Sequence, residues 1–258
     1  MNRINELFER KKNKVLSIYF TAGFPTLDST LAVIEALDKS GADLIEIGIP
    51  FSDPIADGPT IQQSSMIALQ NKFTIDTLFE QLKNVRQITQ LPLVLMGYYN
   101  PIFKYGAEKF FKNAHECGID GFIIPDMPLS EYSALYKDIF ATYHLAMNFL
   151  ISPATTTERI KEIDNLSNGF IYLVTSFGVT GGSLKFSDEQ IDSLKRISTL
   201  SLSSPVMGGF GIRNKNDFET VCEHVNGAII GSEFIKILSQ TTGNPSNQIQ
   251  SFIQSIIK

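Results

Sequence analysis

The chain has 258 residues, 43% hydrophobic and 19% charged, with a net charge of −5. That length suits one large single-domain architecture over residues 1–258, the composition excludes a disordered chain, and an acidic balance with no basic cluster denser than Arg10-Lys11-Lys12 argues against a nucleic-acid partner. Cys117 and Cys222 stand alone in their segments, the amino terminus lacks the apolar core of a signal peptide, and no apolar run reaches the ~18 residues of a membrane helix. A cytoplasmic protein with reduced thiols is expected.

After an amphipathic helix over 3–12, short β-branched runs alternate with stretches of helical periodicity. Strands are predicted at 15–20, 43–48, 93–97, 121–124, 145–150, 170–174, 205–208 and 227–230. Helices are predicted at 27–40, 61–70, 75–89, 105–117, 129–142, 156–165, 188–199, 214–223, 232–239 and 246–257, several behind cap residues: Thr26 or Asp28, Thr74, Ser130 and Ser187. Such alternation builds either an open doubly wound sheet or a closed barrel. Closure is favoured by the count of eight strands. The first strand also leads into Thr21-Ala22-Gly23-Phe24-Pro25 instead of a G-x-G-x-x-G turn, and glycine-rich turns follow the last three strands. The expected fold is a single α/β (β/α)8 TIM barrel with an extra N-terminal helix and a short extra helix after the eighth strand.

The second strand carries a carboxylate. Side chains alternate along a strand, so Glu46 shares a face with Leu44 and Gly48, opposite Ile45, Ile47 and Ile49. With the isoleucines against the helices, Glu46 points into the barrel lumen with Gly48 leaving space above it. Burial should raise its pKa into a range suited to proton transfer, and no predicted strand core offers a Lys or Arg to neutralise it. The loop beyond carries Asp53 and Asp57, each before Pro or Gly, where an aspartate is also ordinary turn chemistry.

Gly178-Val179-Thr180-Gly181-Gly182 follows the sixth strand, Gly208-Gly209-Phe210-Gly211-Ile212 the seventh, and Gly231-Ser232 opens a short helix after the eighth. Glycine lets backbone approach a ligand closely, and a helix start offers free N–H groups to an anion. Together these loops read as a phosphate cradle on one barrel rim. His115, His144 and His224 form no ligand cluster, and no metal is expected.

The run Ile45-Glu46-Ile47-Gly48-Ile49-Pro50-Phe51-Ser52-Asp53-Pro54-Ile55-Ala56-Asp57-Gly58-Pro59-Thr60-Ile61-Gln62 resembles the signature of the tryptophan synthase alpha chain family. Tyr98-Tyr99-Asn100-Pro101, Pro125-Asp126-Met127-Pro128 and the three glycine segments extend the similarity along essentially the whole chain. The resemblance implies retro-aldol cleavage of indole-3-glycerol phosphate to indole and glyceraldehyde 3-phosphate, without a cofactor in this chain. It implies Glu46 and Asp57 as the catalytic pair. Tyr19, Met96, Tyr98, Tyr172 and Phe210 would line the indole slot, with Thr180 bonding Asp57 on loop closure, and Gly181, Gly211, Gly231 and Ser232 would hold the phosphate. It further implies a pyridoxal-phosphate-dependent beta chain that receives indole, in an assembly of two alpha and two beta chains, faced by Asp53, Pro54, Asn100 and Pro101 in the second and third loops. Thr175-Ser176-Phe177 departs from many relatives and bears on how the sixth loop closes. A lyase working without a beta chain, and a silent barrel that only activates one, are the competing readings; a lumen carboxylate has no use in the second.

Overall fold

The computed structural model describes residues 2–174, 186–209, 211–241 and 243–258. One parallel sheet runs through them, built from β1 Val15–Thr21, β2 Leu44–Gly48, β3 Leu93–Met96, β4 Gly121–Ile123, β5 Ala146–Met147, β6 Leu150–Ile151, β7 Ile171–Val174, β8 Val206–Gly209 and β9 Gly227–Ile230. Their order is β5-β4-β3-β2-β1-β9-β8-β7-β6, so the two ends of the sheet are consecutive in the chain.

The segment expected as one strand over 145–150 is therefore two short strands, and the difference explains how the ring closes. β5 pairs with β4 and β6 with β7, across a break of two residues. At that break Asn148 N donates to Phe122 O at 2.9 Å on one side, and Tyr172 N donates to Phe149 O at 2.8 Å on the other. The fully buried Asn148 side chain repeats the connection: Nδ2 donates to Phe122 O and Oδ1 accepts from Phe170 N. Nine strand segments thus occupy eight positions of a (β/α)8 barrel.

Helices alternate with the strands because each strand sends one face to the lumen and the other outward, and the outward apolar residues need cover. Thr74 and Ser187 cap as expected, the latter in a capping box with Gln190. Pro128, not Ser130, holds the cap position of the helix that starts at Leu129. The helix expected over 75–89 stops at Leu82 and resumes as a 3-10 turn, Val85–Gln87. An unpredicted helix, Tyr99–Tyr105, carries Pro101 in its first turn, where no backbone donor is needed. The N-terminal helix Arg3–Arg10 buries Ile4 and Leu7. Among the described residues no helix is long and apolar enough to cross a membrane.

Candidate active site

All five β2 residues are buried, so strand parity decides which side chains share the lumen. Glu46 is wholly inaccessible, and its Oε1 accepts a hydrogen bond from Ser17 Oγ on β1 at 2.7 Å. Its Oε2 is buried without a hydrogen-bond partner among the described residues. Loss of hydration pushes the carboxyl up to about 7, against the opposing pull of the Ser17 bond.

Tyr19, the register partner of Glu46, lies over Gly48, where a Cβ would overlap the tyrosine hydroxyl. The space expected above Gly48 is therefore filled by Tyr19. Tyr172 uses the glycine at 209 in the same way. Burial raises both phenols, and the charges of Glu46 and Asp57 push both further, so the two carboxyl groups face the same pair of rings.

Asp57 reaches this chamber from the loop after β2. Its Oδ2 accepts from Tyr98 Oη at 3.0 Å, while the same phenol oxygen accepts from Ala56 N at 2.9 Å. Phe51 packs on the Tyr98 ring at 5.1 Å between centroids, and Gln62 Nε2 donates to Asp57 O. Asp57 is half-buried, and burial lifts its carboxyl to about 6 although the Tyr98 bond pulls the other way. Met96 ends β3 beside Gly48 and is half-buried.

Elsewhere on the same rim, Gly231 caps the helix Ser232–Ser239, and a Cβ on it would stand 3.3 Å from Tyr19 Cδ1 and 3.6 Å from Ile61 Cδ1. The helix thus begins beside the Tyr19 ring. Gly211 has φ +64, a left-handed backbone that a side chain disfavours. Thr180, Gly181 and Phe210, with Thr175, Ser176 and Phe177, lie outside the described residues. Of the four residues expected to face a partner, Asp53 and Asn100 are exposed, Pro101 is half-buried and Pro54 is buried. Asn100 and Pro101 belong to the helix Tyr99–Tyr105 rather than to a loop. Exposed Ile55 and Phe103 flank them on the same two segments.

Three contributors had no role in the sequence reading: Ser17, and Phe51 and Ile61, which stood there only as members of the signature run. Only parity pointed to Ser17, which stands two residues before Tyr19 on the same face of β1. No three His, Cys, Asp or Glu side chains converge as metal ligands among the described residues, and Cys117 and Cys222 are free thiols raised by burial to about 11 and about 12.

The sequence profile of the tryptophan synthase alpha chain family matches residues 5–257. The tryptophan synthase alpha chain of Flavobacterium psychrophilum is 53% identical over 256 residues, covering 99% of this chain and 100% of the relative. This chain belongs to the tryptophan synthase alpha chain family. The Bacteroides thetaiotaomicron alpha chain is 49% identical over 93% of this chain and 94% of its own length. Among solved structures, the Legionella pneumophila alpha chain superposes with a TM-score of 0.88 at 32% identity, covering 99% of this chain and 96% of that one. A tryptophan synthase complex from Pyrococcus furiosus matches with a TM-score of 0.86 at 34% identity, over 96% and 99% of the two chains. The activity of the tryptophan synthase alpha chain family is cleavage of indole-3-glycerol phosphate, and this chain is a carbon–carbon lyase of that kind.

Proposed function

We propose that Glu46 and Asp57 carry the cleavage of indole-3-glycerol phosphate between them. The reading rests on one observation above all: a wholly buried carboxyl with one oxygen unpartnered, facing the same two tyrosines as a second, half-buried carboxyl. Protonated Glu46 gives its proton to C3 of the indole ring, which places positive charge on the ring nitrogen. Asp57, ionised, accepts the ring N–H and stabilises that charge. The Glu46 carboxylate then takes the proton of the glycerol hydroxyl next to the bond. As the carbon–carbon bond breaks, its electrons return to the ring, leaving indole, the aldehyde of glyceraldehyde 3-phosphate, and Glu46 protonated again.

Tyr19, Met96, Tyr98 and Tyr172, with Phe210, wall the flat apolar ring. The phosphate rests on the N–H groups at Gly181, Gly211, Gly231 and Ser232, without a dedicated cation. The whole chain acts as one domain, needs no cofactor of its own and works in the cytoplasm. Indole passes to a pyridoxal-phosphate-dependent beta chain in a complex of two alpha and two beta chains, with Asp53, Pro54, Asn100 and Pro101 at the contact. Exposed Ile55 and Phe103 supply apolar area for that contact.

An indole-release assay with and without a cognate beta chain tests the reading. Glu46→Gln should bind substrate normally and lose turnover by several orders of magnitude, and the beta chain should stimulate the wild type strongly. Near-normal turnover in the variant would remove Glu46 from the mechanism, and an unchanged wild-type rate would identify a lyase that works alone.

A further inference from the structure

We propose that Ser17 is a positioning residue that decides which oxygen of Glu46 carries the working proton. The inference deepens the assignment of Glu46 as the proton-transfer group and rests on it. The two oxygens of a free carboxyl are equivalent, and a half-turn about the last side-chain bond exchanges them. Here they are distinguished: Oε1 accepts from Ser17 Oγ at 2.7 Å, and the buried Oε2 has no partner among the described residues. In the neutral acid the carbonyl oxygen is the better acceptor, so the Ser17 bond makes Oε1 the carbonyl and places the proton on Oε2. That proton is then directed away from the strand that holds the serine, and no acceptor among the described residues competes with substrate for it.

Ser17 is wholly buried between Val15 and Tyr19 on the lumen face of β1, and its hydroxyl has no second hydrogen-bonded acceptor among the described contacts. The other titratable groups facing Glu46 are Tyr19 on β1 and Tyr172 on β7, the two rings that Asp57 also acts on from the loop after β2. None of them hydrogen-bonds the Glu46 carboxyl, so Ser17 is the contact through which the fold orients it. Once Glu46 has given up its proton, the same bond stabilises the carboxylate, which ties the pH dependence of turnover to this hydroxyl.

The pair Ser17→Thr and Ser17→Val tests the role, because the two replacements have nearly the same shape and differ in the hydroxyl. Indole release is followed from pH 5 to 9 for both, with Ser17→Ala as a variant that cannot overfill the lumen and Glu46→Gln as the reference for a lost proton carrier. In Val and Ala, the limb of the kcat profile governed by Glu46 should move to higher pH by about one unit, with kcat down by about tenfold on the unfavourable side and KM little changed. Thr should track the wild type. Coincident profiles for Thr and Val, with Glu46→Gln inactive, would overturn the role of Ser17 and leave that of Glu46 intact. Undiminished turnover in Glu46→Gln would overturn both.

Discussion

Glu46 has one hydroxyl to bond and no exposure to solvent, so its ionised form is held at a disadvantage that the unfolded chain does not feel. With the folded carboxyl raised to about 7 from an ordinary 4.5, the native state binds the proton more tightly than the unfolded state does. The advantage is complete below the unfolded value and is lost as pH rises through the folded one, so stability should fall between about pH 4.5 and 7 by on the order of 3 kcal/mol. Glu46→Gln removes that dependence. The variant should melt above the wild type at pH 8, and the gap should close by pH 4.5, measured by thermal unfolding across the range; a constant gap would mean that Glu46 is not held neutral by the fold. The left-handed backbone at Gly211 makes a second residue-scale case, since nothing stands within 4 Å of a Cβ there and the penalty of a side chain is conformational. Gly211→Val should raise the KM for indole-3-glycerol phosphate about tenfold by displacing the loop, with little effect on an analogue lacking phosphate. Equal effects on the two substrates would remove Gly211 from the phosphate contact.

At the scale of elements, Tyr98 joins the loop carrying Asp57 to the end of β3, through two hydrogen bonds on one phenol oxygen and a ring packed on Phe51. Tyr98→Phe keeps the ring and removes both bonds, so the loop should lose its anchor while the slot keeps its wall. A fall in kcat of ten- to a hundredfold with KM within about threefold is expected, together with faster exchange of the Ala56 amide by hydrogen-exchange mass spectrometry. Unchanged exchange would show that the loop is held by other contacts. The signature around Glu46 was legible because strand parity and a long motif agree there, whereas this clamp was not: a phenol reaching Asp57 across 41 residues of sequence leaves no local mark. The helix Tyr99–Tyr105 escaped notice because Pro101 reads as a loop residue until its place in the first turn is known. The divided strand at Asn148 is a demand of ring closure, which no single segment encodes. Gly48 shows the same limit in reverse, since alternation identified its face but not that Tyr19 would fill the notch.

Across the whole molecule the barrel separates its labours end to end. The carboxyl ends of the strands carry Asp57, Tyr98 and the helix at Ser232, while the amino ends carry polar staples that touch none of them. Asp120, just before β4, accepts from Arg3 at 3.0 Å, from Arg86 at 2.5 Å and from Leu93 N at 2.8 Å, and it is only 4% exposed. Asp43 likewise binds Lys11 and Leu16 N ahead of β2. The Asp120 cluster ties the N-terminal helix and the turn after Leu82 to the base of two neighbouring strands, so its loss should be felt by the fold and not by the chemistry. Asp120→Ala leaves the buried Leu93 N–H without its acceptor and two guanidinium groups without their counter-ion, although Arg86 keeps the carbonyls of Gly118, Thr89 and Leu91, at a cost of about 3 kcal/mol. Urea unfolding should record that loss, while kcat for indole release at 25 °C stays within about twofold of the wild type, because Glu46 keeps Ser17 and Asp57 keeps Tyr98. A collapse of kcat in a variant that still unfolds cooperatively at the wild-type midpoint would show that the base of the barrel sets the geometry of its mouth.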